Sequence, residues 1–404
     1  MPSKPKKLKG KEGGQIKAKV SSEVMTFHVI SLPHTQTTLE YEACAYTSKV
    51  RKFCNMMKSL GHIVYLYASE ENEANVDDFI TIASKKDQLK WFGENDFKKN
   101  FFNLTWNPND EHWQKTNTKA IEEINKRISK KDFICVIAGL CQKQIADAFP
   151  AHMTVEFGIG YEGVFAPYHV YESYSHMHFV QGKLNDDNGR FYDAVIPNYF
   201  EPENFPFKDK KEDYFLFLGR LIERKGPEIA VEVTRRLGKK LVLAGQGVRE
   251  IKGNTIVGDG FSLTGDHILH VGHANVKQRA ALLRNATATF MATTYLEPFG
   301  GVAVESLLCG TPVIATDFGA FAENIKHGEN GFRFRTIGEA TWAAKNVHKL
   351  NNKKIHQNAV KNFGVDRVRY LYQAYFEQLL TLWEEGFYSK WDRGVSKYSR
   401  YSIK

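Results

Sequence analysis

The stretch YLEPFGGVAVESLLCGTPVIATDFG, residues 295–319, sets the architecture of this chain. Just before it, TATFMAT (287–293) is an apolar run that reads as a buried strand. Glu297-Pro298-Phe299-Gly300-Gly301 then makes a turn, Val302 to Cys309 reads as a short helix, Gly310 stops it, and PVIATD (312–317) forms the next strand. Strand, helix and strand in that order is one unit of a parallel sheet. The turn poses a chemical puzzle. Glycines that leave backbone N–H groups bare at a helix start collect anions. Yet Glu297 precedes the turn, and Glu305 projects about 6 Å along the helix axis from Gly301. Two carboxylates would repel a phosphate unless each has another partner.

The same alternation runs through the rest of the sequence. TFHVISL (26–32), IVYLYA (63–68), FICVIA (133–138) and MTVEFG (153–158) read as strands. Between them, 45–60 places Tyr46, Val50, Phe53, Cys54, Met57 and Leu60 on one helix face, and 119–128 is a further helix. IPNYFEPENFPFKDKKED (196–213), with three prolines and a run of charges, breaks the rhythm and reads as a linker. Beyond it, strands are expected in YFLFLGR (214–220), KLVLAGQG (240–247), HILHVGHA (267–274) and GFRFR (331–335), and helices over 231–238 and 277–286. The fold class is therefore α/β, with two doubly wound domains facing a cleft. The expected divisions are a basic tail at 1–24, a first domain at 25–200, a second at 201–385, and a basic aromatic tail at 386–404.

Charge follows the same division. The chain has 404 residues and a formal net charge of +9. Seven lysines against one glutamate give +6 in residues 1–19, and five basic residues against one aspartate give +4 in 386–404, leaving −1 between. The body is near neutral, and the tails read as solvated, disordered segments, with an electrostatic hold on an anionic partner, a nucleic acid or a membrane surface, as the sharper alternative. No apolar run approaches the ~18 residues that span a bilayer, and the basic N-terminus has no apolar segment behind it. A cytoplasmic location is expected, with peripheral membrane contact through the tails as the alternative. Five cysteines, an odd number without a CxxC pair, read as reduced core residues.

In doubly wound sheets, ligands lie beyond the carboxyl ends of the strands. The strand 214–218 ends in GRLIERKG, which puts Arg220 and Lys225 across one turn. Two cations there would neutralise a diphosphate, although taken alone their plainer reading is exposed basic residues of a loop. The strand 240–244 ends in GQG, whose glycines permit close approach of another group.

These segments in register, with HVGHA and EPFGGVAVESLLCGTPVIATDFGAFAENIKHGENGF after them, resemble the family-4 retaining glycosyltransferases of GT-B fold. Glu297 to Glu305 is that family's E-x7-E signature, and VIPNYFEPENF is similar to the segment before its donor domain. The resemblance covers roughly residues 194–335. It implies two Rossmann-like domains and transfer of a sugar from a nucleoside-diphosphate sugar to a hydroxyl, with retention and without a metal or other cofactor. Arg220 and Lys225 would hold the diphosphate. Glu297 would bind hydroxyls of the transferred sugar, Glu305 the ribose hydroxyls, and the backbone around Phe299, Gly300 and Gly301 sugar or phosphate. The carboxylates would thus take hydroxyl donors on either side of the phosphates. No Asp-x-Asp, the usual metal-recruiting motif, occurs in the chain.

The first half departs from the family pattern. The loop after strand one, PHTQTTLEYEACAYT (33–47), contains no glycine, and MTVEFGIGYEGV offers Glu156 where the family commonly has a histidine. Glu156 is a catalytic candidate, with a buried structural glutamate as the alternative. His34 is a further candidate, with a surface histidine as its plainer reading. YHVYESYSHMHFV (168–180) reads as core with one or two acceptor contacts. The acceptor is expected to be a surface or lipid-linked glycan, or a hydroxymethylated nucleic-acid base. Two other readings stand beside transfer: a GT-B sugar-nucleotide epimerase or hydrolase, and a non-catalytic module binding nucleic acid or sugar nucleotide.

Overall fold

A computed structural model describes residues 23–94, 96–187 and 192–383. The tails expected at 1–24 and 386–404 lie outside these residues, apart from Glu23 and Val24. Apolar runs bounded by turn residues form seven strands in the first half: β1 (Thr26–Ile30), β2 (Ile63–Ser69), β3 (Asp78–Ala83), β4 (Phe133–Val136), β5 (Met153–Ile159), β6 (Tyr168–Tyr171) and β7 (Ala194–Val195). They pair in parallel in the order β3-β2-β1-β4-β5-β6-β7. Every residue of β4 and β5 is buried, as a sheet covered on both faces requires. The helix Ala45–Ser59 covers one face with Val50, Phe53, Cys54 and Met57, at the spacing its sequence shows.

The second half builds β8 (Tyr214–Leu218), β9 (Lys240–Ala244), β10 (Val248–Lys252), β11 (Thr255–Gly258), β12 (Phe261–Thr264), β13 (Ile268–His270), β14 (Ala288–Met291), β15 (Val313–Thr316) and β16 (Gly331–Phe334). Six of these make a parallel sheet ordered β13-β9-β8-β14-β15-β16. In both parallel sheets the strand order reverses between the sheet's first and fourth strands in chain order, β1 and β4 in one and β8 and β14 in the other. β10 to β12 form a small antiparallel sheet that anchors Ile256, Phe261 and Leu263 in the core.

One expected boundary is corrected. Residues 201–385 do not form one continuous domain, because the helix Val365–Leu380 crosses back and buries Val368, Tyr372, Phe376 and Leu379 in the first domain's core. Phe376 meets Phe27 with ring centroids 4.7 Å apart, and Tyr372 meets Phe53 at 5.5 Å. Burial of aromatic side chains of this size is a large favourable contribution, and it ties the helix to the first domain. The chain therefore crosses between domains twice, and the crossings are tied together. Phe200 N donates to Phe363 O and Val365 N to Phe200 O, each at 2.9 Å.

Candidate active site

The strand-order reversal in the second domain falls between β8 and β14, where a doubly wound sheet opens a crevice for ligands. The loop after β8 carries Arg220 and Lys225, and the loop after β14 carries Tyr295, Glu297 and the glycine turn. The GQG glycines after β9 have a local purpose. Gly245 has φ +150°, and a Cβ there would stand 1.8 Å from Gly219 O, so the close-approaching group is the protein's own β8 loop. Gly219 N then donates to Ala244 O at 2.9 Å, and Leu221 N to Gln246 O at 2.7 Å.

All these loops face one cleft of about 740 Å³ between the domains. It brings together Arg220, Lys225, Glu297, Phe299, Gly300, Gly301 and Glu305, along with His34 from the opposite wall. Lys225 Nζ lies 2.5 Å from Glu297 Oε2, and the Tyr295 hydroxyl donates to the same oxygen at 2.7 Å. Burial draws the Lys225 ammonium below its ordinary range, and the Glu297 carboxylate opposes that shift. Glu305, on the helix Gly301–Leu308, is gripped by both carboxylate oxygens by Arg279 of the helix Val276–Asn285. Each acid thus faces a cation, which answers the charge puzzle posed by the sequence. Arg220 is exposed, its guanidinium 5.7 Å from the Phe101 ring centroid.

The turn itself is conformationally fixed. Gly300 has φ +77°, and a Cβ there would lie 2.3 Å from Phe321 Cε1. Phe299 is an anchor, its ring packed on Phe363 and its carbonyl accepting from Asn324 Nδ2 at 2.8 Å. The helix that follows starts with Gly301 and Val302 at the cleft wall; Ala303 N donates back to Gly300 O at 2.9 Å, while the N–H groups of Gly301 and Val302 precede the helix's own carbonyl acceptors. An anion lying there would meet those N–H groups and the positive end of the helix.

The first-domain wall differs from the sequence reading. Glu156 is not among the cleft residues; it is fully buried. Its carboxylate accepts from Tyr161 OH (3.0 Å), Phe165 N (2.7 Å) and Ala166 N (2.9 Å), and it stands 3.3 Å from His169 Nε2. Burial alone would lower the His169 pKa, but Asp193 and Glu156 outweigh it and raise it to about 9. Glu156 thus occupies a structural network, the alternative its sequence left open. His34 does reach the cleft, wedged against Phe102, and burial followed by the nearby His112 lowers it to about 3, leaving a neutral ring.

Several cleft residues went unread in the sequence. Lys49 Nζ pairs with Glu172 at 2.7 Å and donates to Gly158 O at 2.8 Å. Lys52 Nζ donates to Asn198 Oδ1 and Tyr199 O, and burial lowers it to about 8. Gln246 Nε2 reaches across the cleft to the Phe97 and Asn100 carbonyls. Arg279 sits in an ordinary-looking amphipathic helix, and only the fold sets it opposite Glu305. Among the described residues, no helix is long and apolar enough to cross a membrane, and all five cysteines are buried and unpaired.

Residues 200–365 match the model of the family Glycosyl transferases group 1. The chain is 30% identical over 148 residues to sucrose synthase 2 of Pisum sativum, a match covering 35% of this chain and 18% of that protein. It is 33% identical over 126 residues to an uncharacterized glycosyltransferase of Methanocaldococcus jannaschii, covering 30% of this chain and 31% of that one. The chain thus spans less than a third of the length of either relative. Three solved structures share the architecture. AviGT4, a glycosyltransferase involved in avilamycin A biosynthesis, has a TM-score of 0.62 at 18% identity over 88% of this chain and 98% of its own. Sucrose-phosphate synthase from Thermosynechococcus elongatus has 0.66 at 15% identity, over 88% and 99%. HepE of Anabaena, solved with UDP-glucose, has 0.60 at 15%, over 89% and 100%. Such distant likenesses carry the fold, GT-B with two Rossmann-like domains. Over residues 200–365, then, the chain matches the glycosyl transferases group 1, set within a two-domain GT-B fold.

Proposed function

We propose that this protein transfers a glycosyl group from a nucleoside-diphosphate sugar to a hydroxyl acceptor, with retention of configuration and without a metal. The observation that carries this reading is the pairing of Lys225 with Glu297 beside a helix start that opens into the interdomain cleft. The donor would lie across the second sheet, its diphosphate against Lys225, Arg220 and the first turn of the helix Gly301–Leu308. Glu297 would accept hydrogen bonds from sugar hydroxyls, and Glu305, oriented by Arg279, from the ribose.

When the glycosidic bond breaks, negative charge grows on the departing diphosphate. Fixed cations and backbone N–H groups that need not reorganise are the most effective stabilisers of such charge. With the acceptor on the same face of the sugar, the leaving phosphate takes the acceptor proton. The acceptor class, the cytoplasmic setting and a role for the tails belong to the same proposal. The test is release of nucleoside diphosphate from a panel of donor sugars, in chelator, with and without acceptors. Release that requires an acceptor supports transfer. Release without one points to hydrolysis, and binding without release to a non-catalytic module.

A further inference from the structure

The first-domain wall of the cleft carries an aromatic surface that no step above uses. Trp106 lines the cleft with half its surface exposed. Burying a side chain of this size contributes a few kcal/mol, so leaving it half open is a cost the fold accepts. It is also held still. Its ring meets Tyr46 edge-on at 5.8 Å and lies 5.8 Å from buried Trp113, whose Nε1 donates to Thr105 O at 2.9 Å. Asp110 ties the same loop by accepting from Asn107 Nδ2 at 2.9 Å and from Thr105.

Trp106 also adjoins the donor side. The Tyr46 hydroxyl donates to Gly160 O at 3.0 Å, and a Cβ on Gly160 would stand 3.6 Å from Pro298, in the turn that follows Glu297. Trp106, Tyr46 and Gly160 therefore form a path from the open indole to the sugar end of the proposed donor. The charged groups on this wall are already engaged. Lys49 pairs with Glu172, Lys52 is held by Asn198 and the Tyr199 carbonyl, and Glu42 is held by Ser48 and Arg51. The neutral His34 adds no charge. Among the described residues, the exposed cation that faces this wall is Arg220, over the Phe101 ring, and the proposed donor's diphosphate claims it.

We infer that Trp106 is the stacking platform of the acceptor subsite, and that the acceptor is a neutral pyranose whose C–H face lies on the indole with a hydroxyl directed toward Glu297. The inference rests on the transferase reading and selects, from the acceptors that reading leaves open, an uncharged carbohydrate over a nucleic-acid base. A rigid, half-exposed indole gives contact area at little entropy cost.

Two measurements test it on the full chain. Melting-point shifts with a panel of nucleoside-diphosphate sugars report donor binding; if none stabilises the protein, the transferase reading itself falls. With a donor that does bind, transfer to methyl pyranosides and to a short oligonucleotide carrying hydroxymethylcytosine is compared for wild type, Trp106→Ala and Trp106→Phe. The expected result is acceptance of at least one pyranoside, a KM for it raised at least tenfold in Trp106→Ala, substantial recovery in Trp106→Phe, and an unchanged KM for the donor. Acceptance of the oligonucleotide alone, acceptance of neither, or an acceptor KM unmoved by Trp106→Ala would overturn the inference while leaving donor binding intact. An equal rise in donor KM would overturn it as well.

Discussion

Lys225 and Glu297 come from loops 72 residues apart, yet Nζ and Oε2 stand 2.5 Å from each other at the carboxyl ends of β8 and β14. Both side chains are mostly sheltered, with 15% and 13% of their surfaces exposed. On the proposed reaction, removing the ammonium would deprive the leaving diphosphate of a fixed charge and leave a carboxylate facing it. Lys225→Ala should therefore lower kcat at least tenfold, about 1.4 kcal/mol of barrier. Steady-state kinetics at saturating donor checks this, and an unchanged kcat removes Lys225 from the chemistry.

Arg279 and Glu305 form the second such pair. A fully buried pair loses about 3–5 kcal/mol when one partner goes; this one keeps some solvent contact, so Arg279→Ala should cost about 1–2 kcal/mol. Adding Glu305→Gln should recover part of that loss, because the stranded charge is then gone. Urea unfolding of the single and double variants measures the coupling.

Gly300 and Gly301 look alike in the sequence but are not equivalent. A methyl at 300 would meet Phe321 at 2.3 Å in a left-handed backbone, whereas a methyl at 301 would rest 3.7 Å from Phe200. Gly300→Ala should destabilise the protein by at least about 2 kcal/mol, and Gly301→Ala by under about 1 kcal/mol. Denaturant midpoints separate the two, and equal losses would contradict the turn geometry.

His169 supplies a pH dependence of stability. Held between Asp193 and Glu156, it titrates near 9 when folded, against an ordinary value of 6.5. A raised folded-state pKa gives stabilisation that is complete below about pH 6.5 and is lost as pH rises through about 9. Between pH 6 and pH 9.5 the wild type should lose on the order of 2–3 kcal/mol more than His169→Gln. Glu156→Gln should lower the melting point and leave kcat in place, since Glu156 serves this network and not the cleft.

Much of this arrangement was legible in the residues themselves. The helix face at Val50, Phe53, Cys54 and Met57, the central strands, and the run from Glu297 to Glu305 all carry strong local signals, because periodicity and turn chemistry are properties of neighbouring residues. The small sheet β10 to β12 had its hairpin signals too, in Gly253-Asn254 and Asp259-Gly260, but these were masked by the longer alternation around them. What could not be read was relative placement. Nothing local distinguishes Val365–Leu380 as a helix of the first domain or Arg279 as the partner of Glu305, since the first depends on packing across hundreds of residues and the second on two separate helices. The partners of Glu156 lie within 13 residues of it, but only the paired β5 and β6 turn its carboxylate onto them.

The most direct measurement is a titration of nucleoside-diphosphate sugars into wild type, Arg220→Ala and Lys225→Ala in the presence of chelator, read as melting-point shifts, because a ligand that binds the folded state stabilises it by mass action. If the diphosphate lies between these cations and the Gly300–Gly301 helix start, at least one donor should stabilise the wild type, and either substitution should weaken its binding at least tenfold. Donor binding equally tight in all three proteins, or no binding by any, would contradict that placement.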